Sequence, residues 1–287
     1  MLYKDRIKYL FVGPGIVWVL AFTLFPLLYS LRLSFLNARL GSDETFVALQ
    51  NFARAGDDYR FWNALSISVF FVVVSVTVTV LLGLGLALLF NRQIRGLRVF
   101  RSVFTLPLFT APIALGYLGL TIFHEDVGPI NLALRALGMT EPPGWLHDVW
   151  AARAAIVLVD AWQWTPFCFL VLLAGLQGLP EELYEAARLD TSSAWETFRG
   201  FTLPLLTPIL FTVVMLRLVE TFKMLDIPFS LTSGGPGQAT QTYSFYIYQV
   251  GLRNFNLGYA SALAYVLLVI MLVISSFFFS RLRAIYD

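Results

Sequence analysis

Residues 61–91 read FWNALSISVFFVVVSVTVTVLLGLGLALLFN and contain no charged side chain over 31 positions. An α-helix rises 1.5 Å per residue, so roughly 20 apolar residues cross a hydrocarbon core about 30 Å thick. This stretch is long enough for a tilted membrane-spanning helix with an amphipathic lead-in. It therefore predicts an integral membrane protein.

The composition of the whole chain supports the same class. Of 287 residues, 58% are hydrophobic and 13% are charged, and the mean hydropathy is +0.73. A soluble domain of this size carries roughly a quarter charged residues, because its surface faces water. Lipid is therefore expected to solvate much of this chain. A net charge of +2, with no basic stripe interleaved with aromatics, argues against nucleic acid as a partner.

Five further apolar stretches predict the remaining helices. The first is longer than the apolar core of a signal peptide and lacks a small-x-small cleavage site, so we expect it to be retained. Prolines inside several stretches are typical of a bundle in which neighbouring helices satisfy the freed carbonyls. The predicted fold is an all-α membrane protein forming one domain, residues 1–287, with spans at approximately 9–31, 63–90, 102–123, 154–178, 204–222 and 257–280.

The distribution of basic residues predicts the orientation of these spans. Three basic residues precede the first span, four arginines and no acid lie in residues 91–101, and two arginines follow the last span. The connections at residues 37–60 and 124–153 each contain four acids, which offset their arginines. Both termini are therefore expected to be cytoplasmic, together with the segment at residues 179–203.

The sequence lacks the motifs of common catalytic and metal sites. Its two histidines, His124 and His147, both fall in the second external connection, and its one cysteine, Cys168, lies in an apolar run. We therefore expect no metal site and no intramolecular disulfide. The dipeptide Gly-Lys does not occur, so the chain has no phosphate loop and any nucleotide would be hydrolysed by another polypeptide.

The cytoplasmic segment at residues 179–203 predicts two short helices. Pro180 pre-sets a helical φ, and the glutamates that follow it complement the dipole of a helix start. Ser193 and Glu196 have the spacing of a capping box, which predicts a second helix running into Pro204. Two small and two charged residues would meet a partner here: Glu185, Ala186, Ala187 and Arg188. An ordinary amphipathic interfacial loop is an equal alternative at this point.

Three ionisable residues, Asp160, Arg217 and Glu220, lie inside predicted spans, in the outer half of the membrane. A charge at bilayer depth costs at least about 2.5–3.5 kcal/mol, so such residues usually face a bundle interior or a wet cavity. The side chains around them suit a polyhydroxylated solute, because rings can stack on a sugar and polar groups can take its hydroxyls: Trp162, Gln163, Trp164, Phe167 and Thr221. A structural ion pair between helices is the alternative.

The cytoplasmic segment resembles the inner-membrane permeases of binding-protein-dependent ABC importers. That family has Glu-Ala-Ala, a glycine a few residues on, and then an apolar-x-Leu-Pro; here residues 185–191 read EAARLDT and 201–204 read FTLP. Residues 231–236, LTSGGP, and 256–262, NLGYASA, are similar to the carbohydrate-uptake subfamily of maltose and glycerol-phosphate permeases. The resemblance covers essentially the whole chain. Thr191 stands where the family usually has glycine, which bears on the geometry of the turn.

This resemblance implies a type I ABC importer permease of a bacterial inner membrane, with a coupling helix that docks on an ATPase subunit. Coupling to the ATPase is implied for Glu185, Ala186, Ala187, Asp190 and Thr191. Solute contacts are implied at Asp160, Trp164, Phe167, Arg217, Thr221 and Met224, to which the intramembrane ions add Glu220. The implied partners are a second permease, two ATPase subunits that carry the ATP and Mg, an extracytoplasmic solute-binding protein, membrane lipid and a small sugar or polyol. The chain itself would bind no cofactor.

Two other functions compete with this interpretation. A secondary carrier would use Asp160, Arg217 and Glu220 as proton or ion relays, but the sequence has no repeat with paired broken helices. An intramembrane enzyme would need a nucleophile–base pair or a metal site at membrane depth, and no histidine lies in any predicted span.

Overall fold

The computed structural model describes residues 2–91, 96–180, 182, 184–185 and 193–286, of which residues 2–10, 282 and 284–286 are described by their backbone alone. Within these ranges the regular secondary structure is helical apart from one antiparallel ribbon, in which β1 (Leu36–Asn37) pairs with β2 (Thr45–Phe46), and an isolated bridge between Arg39 and Asn256. The helices are α1 (Leu2–Ser34), α2 (Gln50–Asp57), α3 (Tyr59–Phe90), α4 (Leu97–Phe104), α5 (Pro112–Ile122), α6 (Pro129–Ala136), α7 (Val149–Gln177), α8 (Ala194–Thr197), α9 (Leu203–Phe222), α10 (Tyr243–Tyr248) and α11 (Leu257–Tyr286).

Five helical segments in the described ranges are long and apolar enough to cross a membrane. They are Phe11–Ser34, Tyr59–Phe90, Val149–Gln177, Ala194–Phe222 and Leu257–Arg281. A bent pair of shorter helices, Leu97–Phe109 and Pro112–Ile122, meets the same criteria when taken together, which raises the number to six. Each of these segments falls on one of the apolar stretches found in the sequence.

The third apolar stretch folds as two helices that meet at an angle of 99°. α4 is followed by a 3₁₀ turn, Leu106–Phe109, after which Thr110 and Ala111 take extended backbone conformations with ψ of 134° and 130°. Pro112 explains the break, because its ring disfavours the α conformation at the preceding residue and it has no N–H to donate. The break frees the carbonyl of Thr110 for a side-chain partner.

Contacts between residues divide the chain into two compact units. The first consists of Met1–Phe61 and Tyr246–Ile270. In it, the side-chain amide of Asn51 donates hydrogen bonds of 2.9 Å to the carbonyls of Ser34 and Leu36, which fixes α2 against the end of α1. The backbone N–H of Gly258, in the first turn of α11, donates to the carbonyl of Ala38 at 3.0 Å.

The second unit consists of Trp62–Phe245 and Met271–Asp287, and α7 is its most buried long helix. Small residues let its neighbours approach closely, as is common between membrane helices. A Cβ placed on Gly83 of α3 would lie 2.5 Å from the Cβ of Cys168, and one on Gly175 would lie 2.6 Å from Ile209 of α9. These glycines therefore set the distances from α7 to α3 and α9.

Gly83 gives a direct test of this packing. We expect Gly83→Ala to lower the free energy of unfolding by about 1–3 kcal/mol, because the added methyl overlaps Cys168 and the backbone of Phe169. Gly85→Ala is the matched control, since a Cβ there meets nothing within 4 Å. Thermal unfolding in detergent measures both, and equal melting temperatures for the two variants would contradict the close approach of α3 and α7.

The connection around α6 is organised by Asn131, which is buried. Its amide nitrogen donates to the carbonyls of Glu125 and Pro143 at 3.0 and 3.3 Å, and its oxygen accepts from the indole N–H of Trp145 at 2.7 Å. Nearby, Nδ1 of His147 lies 2.5 Å from Oε1 of Glu125. This contact raises the pKa of His147 and lowers the pKa of Glu125.

The pair predicts a pH window for this connection. The stabilisation that His147 gives the folded state is fully present below its ordinary pKa of 6.5. It is lost as the pH rises through the raised pKa of His147. The stabilisation that Glu125 gives the folded state is present above its ordinary pKa of 4.5. It is lost as the pH falls through the lowered pKa of Glu125. Titration of the His147 ring by NMR should give a midpoint above 6.5 that falls in Glu125→Gln. An unchanged midpoint in that variant would exclude the contact.

Candidate functional site

The second unit contains a cavity of about 210 Å³ between α7, the end of α9 and the residues that follow α9. Pro112, at the break between α4 and α5, also contributes to its wall. Most of the side chains that line it are charged, polar or aromatic, among them Asp160, Gln163, Trp164, Glu220, Lys223 and Asp226. A polar cavity beside three apolar spans is a candidate binding site.

An ion pair joins α7 to α9 next to this cavity, and its carboxylate, Asp160, lines the cavity wall. Nη2 of Arg217 lies 2.5 Å from Oδ2 of Asp160, and the two side chains are 0% and 2% exposed. Arg217 also donates from Nε to Oγ1 of Thr79 at 3.3 Å. Removing one member of such a buried pair is costly because the other charge is left without compensation. The sequence placed Arg217 beside Glu220 on one helix face, but the carboxylate that Arg217 contacts is Asp160.

Trp164 contacts both this ion pair and a neighbouring aromatic residue. The guanidinium carbon of Arg217 lies 4.8 Å from the centre of the Trp164 ring, which is a cation–π distance. Phe167 packs edge-on against the same indole, with ring centroids 5.9 Å apart. Because Trp164 is held by both neighbours and also lines the cavity, it presents an oriented aromatic surface to a ligand.

The more exposed part of the cavity wall carries a second ion pair. Nζ of Lys223 lies 2.9 Å from Oε1 of Glu220, with the two side chains 53% and 40% exposed. Lys223 immediately follows α9, and Asp226 lies three residues further on. An exposed pair of this kind is worth about 0–1 kcal/mol, so its charges remain available to other partners at little cost.

Several buried polar atoms near the cavity have no hydrogen-bond partner among the described residues. They are Oε1 of Gln163, Nη1 of Arg217 and Oγ1 of Thr221. The amide nitrogen of Gln163 is satisfied, because it donates to the carbonyl that the break at Thr110 leaves free, at 3.1 Å. The three remaining atoms are an acceptor, a donor and a hydroxyl, and of their residues only Gln163 lines the cavity.

The structure brings together most of the solute residues expected from the sequence. Asp160, Trp164, Glu220 and Met224 line the cavity. The other three do not line it: Arg217 pairs with Asp160, Phe167 contacts Trp164, and Thr221 is buried on α9. Sequence reasoning missed Lys223 and Asp226, because it considered only charges inside the predicted spans. The signal available in the sequence was that Lys223 and Asp226 follow Glu220 by three and six residues, which placed them near a residue already assigned to the site.

The expected coupling segment is described only in part. Ala186, Ala187, Asp190 and Thr191 lie outside the described residues, whereas Glu185 is helical and exposed. The predicted second short helix is confirmed as α8, with Oγ of Ser193 accepting from the backbone N–H of Glu196 at 3.2 Å. A π-helical turn, Phe198–Thr202, continues α8 into α9, as the sequence led us to expect.

No group of three His, Cys, Asp or Glu side chains that could hold a metal ion occurs in the part of the chain that the structure describes. Cys168 is a free, buried thiol in α7.

Comparison with known proteins gives concordant matches. Residues 79–285 match the family described as binding-protein-dependent transport system inner membrane component. The trehalose/maltose transport system permease protein MalF of Thermococcus litoralis is 35% identical over 95% of this chain and 92% of its own length. The lactose transport system permease protein LacF of Rhizobium radiobacter is 33% identical over 95% and 93%, respectively.

The fold has a solved counterpart in a bacterial alginate ABC transporter, crystallised in complex with an alginate pentasaccharide-bound periplasmic protein. The TM-score is 0.82, and the match covers 96% of this chain and 94% of the other at 21% identity. The family match includes α7, α9 and the cavity between them. The chain therefore belongs to the inner-membrane permease family of binding-protein-dependent ABC transport systems.

Proposed function

We propose that this chain is the permease subunit of an ATP-driven importer that takes a sugar or polyol from an extracytoplasmic binding protein. The observation that carries the proposal is the cavity in the second unit, where an indole and a buried carboxylate–guanidinium pair lie side by side. The family match supplies the transporter class. The names of the relatives, which transport lactose and trehalose or maltose, favour a carbohydrate.

The side chains of the cavity suit a carbohydrate for physical reasons. A sugar has apolar ring faces that pack on an indole, and hydroxyls that both donate and accept hydrogen bonds. Asp160, Trp164, Phe167, Arg217, Glu220, Thr221 and Met224 are the residues that we assign to solute recognition. A volume of about 210 Å³ is below the roughly 300–1,000 Å³ of typical ligand pockets. We therefore expect the site to widen in the conformer that admits solute.

We further propose that the chain acts as one transmembrane domain with six spans and both termini in the cytoplasm. The bent pair of α4 and α5 would serve as the third span. Phe11–Ser34 has no buried residue in its most apolar window, so lipid or a second permease would cover it.

Two ATPase subunits would bind the ATP and Mg and close against Glu185, Ala186, Ala187, Asp190 and Thr191. Their closure, together with the loaded binding protein, would favour one conformer of the pathway.

A second candidate function is an ion-coupled secondary carrier. The observation that favours it is the fully buried Asp160–Arg217 pair, since ionisable residues at membrane depth often serve as relays. Such a carrier would transport solute without ATPase subunits. The two candidate functions therefore predict different subunits in the native assembly.

The proposal is tested by purifying the tagged chain from its native membrane in mild detergent and identifying the co-purifying proteins by mass spectrometry. We expect one second permease and two ATPase subunits per chain, with a solute-binding protein retained after light cross-linking. Recovery of the chain alone, or only with copies of itself, would favour the secondary carrier instead.

A further inference from the structure

The first unit contains a polar cleft of about 550 Å³ that is separate from the solute site. It is formed by residues that follow α1, by α2 and the start of α3, and by the segment from α10 to the start of α11. Its buried wall includes Tyr246, Asn256 and Tyr259, and its exposed rim includes arginines and Asn254. Nothing in the transport mechanism described above uses this cleft.

Three arginines on the cleft, Arg39, Arg54 and Arg60, are exposed. None of them forms an ion pair with any acid that the structure describes. Arg54 is held in place by an aromatic contact, with its guanidinium carbon 4.3 Å from the centre of the Tyr259 ring. The cleft thus presents several guanidinium groups in water, at least one of them oriented.

The acids of the cleft offset only part of the positive charge of these arginines. Asp58 accepts hydrogen bonds from the hydroxyls of Tyr246 and Tyr259, the latter at 2.7 Å, and from the backbone N–H of Arg60 at 2.9 Å. Burial by itself raises the pKa of Asp58, but these hydrogen bonds outweigh it and the pKa lies below its ordinary value. The Asp58 carboxylate is therefore already hydrogen-bonded within the wall of the cleft. With Asp57, two acids stand against three arginines, so the cleft keeps an excess positive charge.

We propose that this cleft receives acidic side chains from the surface of the solute-binding protein. The complementary group is a carboxylate, because a guanidinium fork binds carboxylates through paired hydrogen bonds. The exposed rim favours a side chain that projects from a protein surface, since a small ligand is usually 70–90% enclosed by its pocket. The inference rests on the proposed function, which places residues 37–60 and the start of α11 on the extracytoplasmic side.

The first test measures binding of the solute-binding protein identified by the pull-down to the complete assembly in nanodiscs. We expect the triple variant R39Q/R54Q/R60Q to bind roughly tenfold or more weakly at low salt and to lose most of the salt dependence. Arg32→Gln is the matched control, because Arg32 lies in the same unit but already pairs with Glu44 at 2.9 Å. We expect it to bind as the unaltered chain does.

A second measurement keeps the inference testable if the triple variant assembles poorly. A photoreactive benzoylphenylalanine replaces Asn254 on the rim of the otherwise unaltered chain, and the cross-linked peptide is sequenced. An adduct on an acid-rich segment of the binding protein supports the inference. An adduct on the second permease overturns it.

The outcomes also separate this inference from the proposed function. Tight, salt-independent binding that survives R39Q/R54Q/R60Q overturns the role of the cleft and leaves the importer intact. Failure of the unaltered assembly to bind any solute-binding protein overturns both.

Discussion

Replacing Arg217 with alanine is expected to lower the free energy of unfolding by about 3–5 kcal/mol. The substitution leaves Asp160, which is 2% exposed, without its counter-ion, and it also removes the cation that lies over Trp164. Thermal unfolding in detergent measures the loss. Lys223→Ala is the matched control, because it breaks an exposed pair with Glu220 and should cost less than about 1 kcal/mol.

A double variant separates a structural role of this pair from a role in solute recognition. Apolar residues of similar size often replace a buried ion pair without loss of stability, so D160L/R217M should melt close to the unaltered chain. If the pair recognises solute, uptake stays at least about tenfold lower in this stable variant, because both charged groups are gone. Recovery of uptake together with stability would show that the pair only holds α7 against α9.

The second large effect is expected in the coupling segment. Glu185→Ala or Ala187→Asp should uncouple ATP hydrolysis from uptake. The first would remove the charged contact proposed with the ATPase, and the second would place a charge where we propose that a partner backbone approaches. Uptake into vesicles should fall by about tenfold or more while the permease still assembles and melts normally. ATPase activity and uptake are measured on the same preparation.

Glu182→Ala provides the control for this experiment. Glu182 has the same charge as Glu185 and is also helical and exposed, and the resemblance assigns it no contact with the ATPase. Undiminished uptake in both Glu185→Ala and Ala187→Asp would contradict the assignment of the coupling helix.

Much of the fold could be predicted because lipid imposes a simple rule on the sequence. Each spanning helix must be long, apolar and nearly free of charge, so the stretch at residues 61–91 identifies α3 by composition alone. The cap of α8 was equally predictable, because the hydrogen bond between Ser193 and Glu196 joins residues three apart. Local rules of this kind do not depend on how the helices pack.

The residue types that form the site could be predicted from the sequence, but which charged residues form ion pairs with each other could not. A charge at membrane depth costs free energy, so Asp160 and Arg217 are each expected to contact a polar or oppositely charged group. The partner of Arg217, however, lies 57 positions away on another helix. The same applies to the break at Pro112, where the sequence shows the proline but not the angle of 99°. The arginine cleft could not be predicted from the sequence, because Arg39, Arg54 and Arg60 come to line one cleft with Tyr246 and Tyr259 only in the folded chain.

Reconstituted uptake distinguishes an ATP-driven importer from a secondary carrier. The purified assembly is placed in proteoliposomes with ATP and Mg on the ATPase side and the loaded solute-binding protein on the other, and labelled solute is counted. We expect uptake that requires ATP, requires the binding protein and persists when ion and proton gradients are collapsed. Uptake that continues without ATP and stops when the gradients are collapsed would contradict it and identify a secondary carrier.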